Sequence, residues 1–173
     1  MKIFFSAGTQ LPFARLIDLA IASSKVSTNV EHVVQTGPLT APIPTSSDNL
    51  TFYEMLTPEQ YSEHLITANL VVTHAGMGNI ISCIEKNTQF VMFPRLVEFG
   101  EHRNNHQLDS AEAVNRATKI PYFTNEFDIL EYIAHALKNN SGSPLLEYDY
   151  GSPRNLFSKN LNSLIQDFFE STK

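Results

Sequence analysis

Three short stretches concentrate the residues that could do chemistry. The first is Thr73-His74-Ala75-Gly76-Met77-Gly78-Asn79, set between the apolar run Leu70-Val71-Val72 and a helical pattern. Two glycines in a strand-to-helix turn let backbone N–H groups approach a ligand, and the positive end of the helix dipole favours an anion. Such a turn suits phosphate groups; it serves equally as a connection that uses Gly only for its dihedral freedom. No Gly-Lys-Ser/Thr follows, so it is not a Walker loop, and Ile81 stands where a dinucleotide fingerprint needs its third glycine.

The second stretch, Ser6-Ala7-Gly8-Thr9, closes the first apolar run. Its glycine brings backbone toward the same ligand, or the turn is a tight connection capped by Thr9. The third runs Phe99-Gly100-Glu101-His102-Arg103-Asn104-Asn105-His106-Gln107. Paired donors and acceptors of this kind suit sugar hydroxyls; the alternative is a solvated loop that caps a helix at Asn104 or Asn105. No metal is expected. His102 and His106 lack the His-Glu-x-x-His arrangement, no Asp-x-Asp pair is present, and the lone Cys83 has no partner. Cys83 reads as a small core residue. His32, His64 and His135 read as surface or helix-face residues with no role. The absence of a Gly-x-Ser-x-Gly elbow leaves a hydrolase triad without support.

Short β-rich runs alternate with helical patterns, which is the signature of a parallel sheet covered by helices. Strands are expected at Ile3–Phe5, Glu31–Gly37, Leu50–Met55, Leu70–Thr73, Phe90–Phe93 and Lys119–Phe123. Helical spacing recurs at Phe13 to Ile21, after the cap Thr57 with Pro58 and Gln60, at Asn79–Lys86, at Asn105–Arg116, and at Phe127 to Leu137. Residues 38–49 hold three prolines and no periodicity, hence an irregular loop. Residues 153–170 carry a last amphipathic stripe, Phe157, Leu161, Leu164, Ile165 and Phe168. That stripe either docks on a partner or packs on the chain's own sheet. The expectation is one domain over residues 1–173: an α/β, Rossmann-like open parallel sheet of about six strands with helices on both faces. Ligands of such sheets bind beyond the carboxyl ends of the strands, near the switch in strand order, which is where the three stretches fall.

With 173 residues the chain can form one domain with a real core. A net charge of −6 argues against a general nucleic-acid binder. No apolar run approaches the roughly 20 residues that span a bilayer, and the polar turn at Ser6 is unlike a secretory signal. A cytoplasmic location is the expectation.

The residues from Thr73 to Gly78 resemble the phosphate-side motif of the glycosyltransferase family 28 C-terminal domain, commonly His-Gly-Gly-x-Gly-Ser. Phe93-Pro94-Arg95, Phe99-Gly100-Glu101-His102 and Asn104-Asn105-His106-Gln107 are similar to stand-alone PssE-type subunits of bacterial polysaccharide glycosyltransferases. Phe5-Ser6-Ala7-Gly8-Thr9 with Pro12-Phe13 and Arg15-Leu16 fits the same family. The soluble subunit of the split eukaryotic UDP-GlcNAc transferase is similar too. The resemblance implies the C-terminal half of a GT-B glycosyltransferase, the donor-binding subunit of a two-component inverting enzyme. Such an enzyme moves a sugar from a UDP-sugar to a lipid-linked saccharide acceptor in polysaccharide biosynthesis, without metal or other cofactor. A membrane-anchored partner would supply the acceptor half and the general base, holding this chain at the inner membrane face.

Carried over by position, Gly8, Thr9, His74, Ala75, Gly76, Met77, Gly78, Asn79 and Arg95 would surround the donor diphosphate. His74 is the one candidate catalytic group. Ser82, Glu85, Glu101, His102, Asn105, His106 and Gln107 would face the sugar and ribose. The sequence departs from the family where Ser82 takes the position of a ribose-holding Glu, with Glu85 one turn later, and where Asn105 replaces a common Asp. Those departures motivate a second reading, a non-catalytic module that stabilises or regulates a transferase. A nucleotide-sugar epimerase shares the fold but normally carries both halves in one chain.

Overall fold

The computed structural model describes residues 1–139; the amphipathic stripe expected at residues 153–170 lies outside them. The elements are β1 (Lys2–Ser6), α1 (Ala14–Val26), β2 (Glu31–Gln35), β3 (Leu50–Tyr53), α2 (Pro58–Thr67), β4 (Leu70–Thr73), α3 (Met77–Glu85), β5 (Phe90–Met92), α4 (His106–Thr118) and α5 (Glu126–Asn139), with a 3-10 turn at Val97–Phe99. The strands form one parallel sheet in the order β3-β2-β1-β4-β5.

Consecutive apolar residues in β1 are explained by the two layers that cover it. Successive side chains point to opposite faces of a strand. Ile3 and Phe5 join a core with Leu16 and Ala20 of α1 and Ile129 and Ile133 of α5. Phe4 joins the other core, with Leu65 of α2, Ile80 and Cys83 of α3, and Ala111 and Val114 of α4. Phe4 and Phe5 are fully buried, each contributing on the order of 2–3 kcal/mol of apolar burial. Cys83 is core, as its context suggested, and burial pushes its thiol up to about 12. The cap of α2 forms as its sequence predicts: the Thr57 hydroxyl accepts from the Gln60 N–H while the Gln60 side chain accepts from the Thr57 N–H.

The sixth strand shrinks to a single parallel bridge between Met92 and Tyr122. Pro121 offers a carbonyl to the Met92 N–H but has no N–H of its own. Just before it, Lys119 takes a left-handed conformation to end α4. Residues 38–49 form no helix, and their only pairing is an antiparallel bridge between Ser47 and Leu50.

His32 is not the surface residue its sequence suggested; it is fully buried and stacked on Phe5. Its Nδ1 lies 2.8 Å from the Val30 carbonyl and its Nε2 lies 3.0 Å from the Ser23 hydroxyl. Nδ1–H therefore donates to Val30 and Nε2 accepts from Ser23, a fit for neutral imidazole. Burial, only partly opposed by the backbone hydrogen bonds, lowers its pKa below the ordinary 6.5. As pH falls below that value the unfolded chain takes the proton first, so stability present above it is lost. His64 and His74 shift in the same direction and add to the effect. The melting midpoint should fall between about pH 7 and pH 5, and His32→Gln should flatten that slope. An equal slope in the variant would show that His32 does not contribute.

Candidate functional site

The strand order reverses between β1 and β4, the two neighbours at the centre of the sheet. Ser6 pairs with both Gln35 of β2 and Thr73 of β4, so three strands end level. The loops after β1 and β4 therefore emerge side by side. Between them and the segment leading to α4 lies a cavity of about 330 Å³. Its walls include Gly8 and Thr9 from the first loop, His74 and Gly76 from the second, and Arg95 and Gln107 from the third segment.

His74 sits at the centre. Its ring lies between Gly8 and Gly76: a Cβ on Gly8 would fall 2.6 Å from the His74 Cε1, and one on Gly76 would overlap Nε2. The glycines are needed here to admit the ring, and Gly8 also needs its positive φ. A third glycine acts from behind. Gly37, also at positive φ, presses against the Gly8 carbonyl, where any Cβ would collide. Asn79 ties the floor together. Its Nδ2 is 2.8 Å from the Ser6 hydroxyl, 2.9 Å from the Thr73 hydroxyl and 3.2 Å from the His74 Nδ1. Burial first, then the charge of Arg95, pushes the His74 pKa down to about 4. The imidazole is accordingly neutral at neutral pH and works as a hydrogen-bonding group rather than a charge.

The cation of the site is Arg95. It is almost completely buried, at 3% exposure. Its Nη2 donates to the carbonyls of Ala7 and Leu11, both at 2.6 Å, and the guanidinium lies 4.9 Å from the centre of the Phe13 ring. Burial lowers its pKa to about 10, leaving it protonated. Among the described residues no carboxylate pairs with it within 4 Å, and no Asp or Glu lines the cavity. Beside it, α3 begins at Met77 after Gly76, with no side chain capping its first turn. Its free N–H groups want acceptors, and the positive charge of Arg95, whose Nε and Nη2 already donate to the carbonyls of Pro12, Ala7 and Leu11, has no anion supplied beside it.

Of the residues expected at the site, Gly8, Thr9, His74, Gly76, Gly78, Asn79, Arg95, His102 and Gln107 come together around the cavity. Ala75 is buried in the core beneath it, and Met77 opens α3. Gln107 accepts from the Arg95 N–H through Oε1. Asn105 accepts from the Val97 N–H, and His106 stands 3.8 Å from Asp109 on the exposed start of α4. The Ser82 hydroxyl is spent on the Gly78 carbonyl of its own helix. Glu85 is the exposed last residue of α3, about 12 Å along the axis from Met77. The Glu101 carboxylate is held by Arg15, outside the cavity walls. Gln10, the last residue of the first turn, lines the cavity too; Leu11 does so with no signal in its residue type, and the contributions of Arg15 and Gly37 depend on contacts between distant segments.

The model of the glycosyltransferase family 28 C-terminal domain matches residues 3–145. The chain belongs to that family. No curated protein matches it. Among solved structures, the family 28 domain is similar to the glycotransferase of kitacinnamycin, with 19% identity and a TM-score of 0.65 over 91% of this chain and 39% of that one. The calicheamicin glycosyltransferase gives 17% and 0.64 over 98% and 41%, and the spinosyn forosaminyltransferase 14% and 0.54 over 95% and 43%. These likenesses establish the architecture, that of the C-terminal half of a GT-B glycosyltransferase. This family 28 chain spans about two-fifths of the length of each of these structures. Among its described residues no helix is long and apolar enough to cross a membrane.

Proposed function

We propose that this chain is the donor-binding subunit of an inverting glycosyltransferase, holding a UDP-sugar by its diphosphate. The observation that carries the reading is the pairing of the uncapped α3 N-terminus with the buried Arg95 in a cavity whose walls hold no carboxylate. As the bond from the anomeric carbon to the diphosphate oxygen breaks, negative charge grows on the leaving group. Fixed N–H dipoles and a cation aimed at that charge stabilise the transition state more than the ground state. Arg95 and the α3 amides, rather than a divalent ion, would supply this stabilisation. Neutral His74 would donate or accept a hydrogen bond beside the reacting centre. His102 and Gln107 would meet the donor sugar.

A general base must reach the acceptor hydroxyl. That base would lie on a separate, membrane-anchored subunit that binds a lipid-linked saccharide and keeps this chain at the inner membrane face. The three glycosyltransferase structures described above are each more than twice as long as this chain, which is consistent with such a half. One observation favours a second reading, a non-catalytic stabiliser of a transferase: the Ser82 hydroxyl is already bonded to Gly78 and offers no carboxylate to a ribose.

Calorimetry with UDP and with uridine separates the two. Saturable UDP binding that is lost when the phosphates are removed is the expected result. If UDP fails to bind both to the chain alone and to the chain co-purified with its partner, the donor-site assignment is wrong and the non-catalytic reading stands.

A further inference from the structure

The third wall of the cavity is a loop segment, and loops drift unless something holds them. Two arginines from opposite sides do so here. Arg95 leaves this segment to grip the carbonyls of the β1–α1 loop, at Ala7 and Leu11. Arg15 leaves α1 to grip the segment in return. Its Nε and Nη2 form a fork on the Glu101 carboxylate at 2.7 and 2.8 Å, and Nη2 also donates to the Pro94 carbonyl at 3.1 Å. Nη1 donates to the Thr124 carbonyl at 2.8 Å and stands 3.5 Å from Glu126 at the start of α5. Four of the five guanidinium N–H donors are thereby hydrogen-bonded, and Glu126 adds a charge beside the group.

Both partners are nearly out of water, at 12% and 8% side-chain exposure. The guanidinium lies 4.5 Å from the centre of the Phe93 ring and 4.4 Å from that of Phe99. Glu101 completes the grip by accepting from the Leu96 N–H at 3.0 Å. The segment from Pro94 to Glu101 is thus tied at both ends to one side chain of α1. Carried on it, or just beyond, are the cavity residues Arg95, His102 and Gln107.

We propose that Arg15 and Glu101 are positioning residues of the donor pocket, a latch that sets the 94–107 wall against α1 so that Arg95, His102 and Gln107 face the diphosphate and sugar. The inference rests on the reading of the cavity as a diphosphate site. Neither residue lines the cavity, so their effect on a ligand is exerted only through the wall. A bidentate fork is also something a lysine cannot reproduce, because an ammonium is a point charge.

The test uses the full chain and its Glu101→Gln and Arg15→Lys variants, with UDP as probe and hydrogen exchange of the backbone amides as a second readout. Glu101→Gln should weaken UDP binding about tenfold, the scale of weakening one hydrogen bond to a charged group. Amides of residues 96–105 should exchange faster while those of β1 and β4 keep their wild-type protection. Arg15→Lys should show the same local pattern, and it carries the test if Glu101→Gln does not fold. Unchanged exchange at 96–105, or unchanged UDP affinity in the presence of a loosened segment, overturns the latch. Equal loss of protection in β1 and β4 also overturns it, since the pair would then be a general stabiliser. If the wild-type chain binds no UDP, the pocket assignment fails, and exchange at 96–105 still decides whether the latch exists.

Discussion

Replacing Gly76 by alanine is expected to lower UDP affinity roughly 100-fold, the scale of losing one strong hydrogen bond to a charged group, while leaving the domain folded. Gly76 has φ −83° and ψ 131°, which alanine adopts freely, so the backbone has no reason to object. The obstacle is the His74 ring, which the new methyl would overlap at Nε2. The ring cannot retreat toward Gly8, where the Cα already leaves room for no more than a hydrogen. It must swing out, taking the hydrogen bonds around Nδ1 with it and filling the cavity beside α3. Calorimetry with UDP and a melting curve check the two halves of the statement. Wild-type affinity in a folded Gly76→Ala protein would mean that His74 does not shape the binding site.

Arg95→Ala should have the largest effect on stability, because one side chain there does two jobs. It satisfies the Ala7 and Leu11 carbonyls from a buried position and packs on Phe13. Hydrogen bonds from a charged donor contribute about 1.5–3 kcal/mol each, and carbonyls left dry without a partner add to the loss. The expected destabilisation is about 3–5 kcal/mol, a large share of the roughly 5–15 kcal/mol available to a domain. Arg95→Lys retains a cation but not the reach to both carbonyls, so it should fold while binding UDP about tenfold more weakly. Denaturant titration of the first variant and calorimetry on the second provide the measurements. A stability loss below about 1 kcal/mol for Arg95→Ala would contradict the role assigned to the loop carbonyls.

What could be read from the sequence was whatever is encoded locally. Ile3-Phe4-Phe5 and Leu70-Val71-Val72 announce strands buried on both faces, and Thr57-Pro58 with Gln60 announces a capped helix. Both glycine-bearing turns read as places where backbone can come close to a ligand, and they meet at one cavity. The sequence alone does not show why they meet, because the order β3-β2-β1-β4-β5 is a long-range property. Lys119–Phe123 has strand composition, but Pro121 withholds the donor that a ladder needs. Glu101 looked like a sugar ligand because its partner, Arg15, is 86 residues away. Gly37 looked like the end of a strand, although its absent side chain is what lets Gly8 keep its place. His32 is polar by type, yet two hydrogen-bond partners make it a core residue.

The bridge between Ser47 and Leu50 has a consequence for how the domain keeps to itself. β3 is an outer strand, and its free side would offer a neighbour a row of donors to extend the sheet. The Leu50 N–H donates instead to the Ser47 carbonyl, and the Phe52 N–H to the Ser46 hydroxyl. The proline-bearing stretch before β3 folds back and quenches that margin from within the same molecule. Its irregularity thus guards against edge-to-edge aggregation, a task separate from anything done at the carboxyl end of the strands.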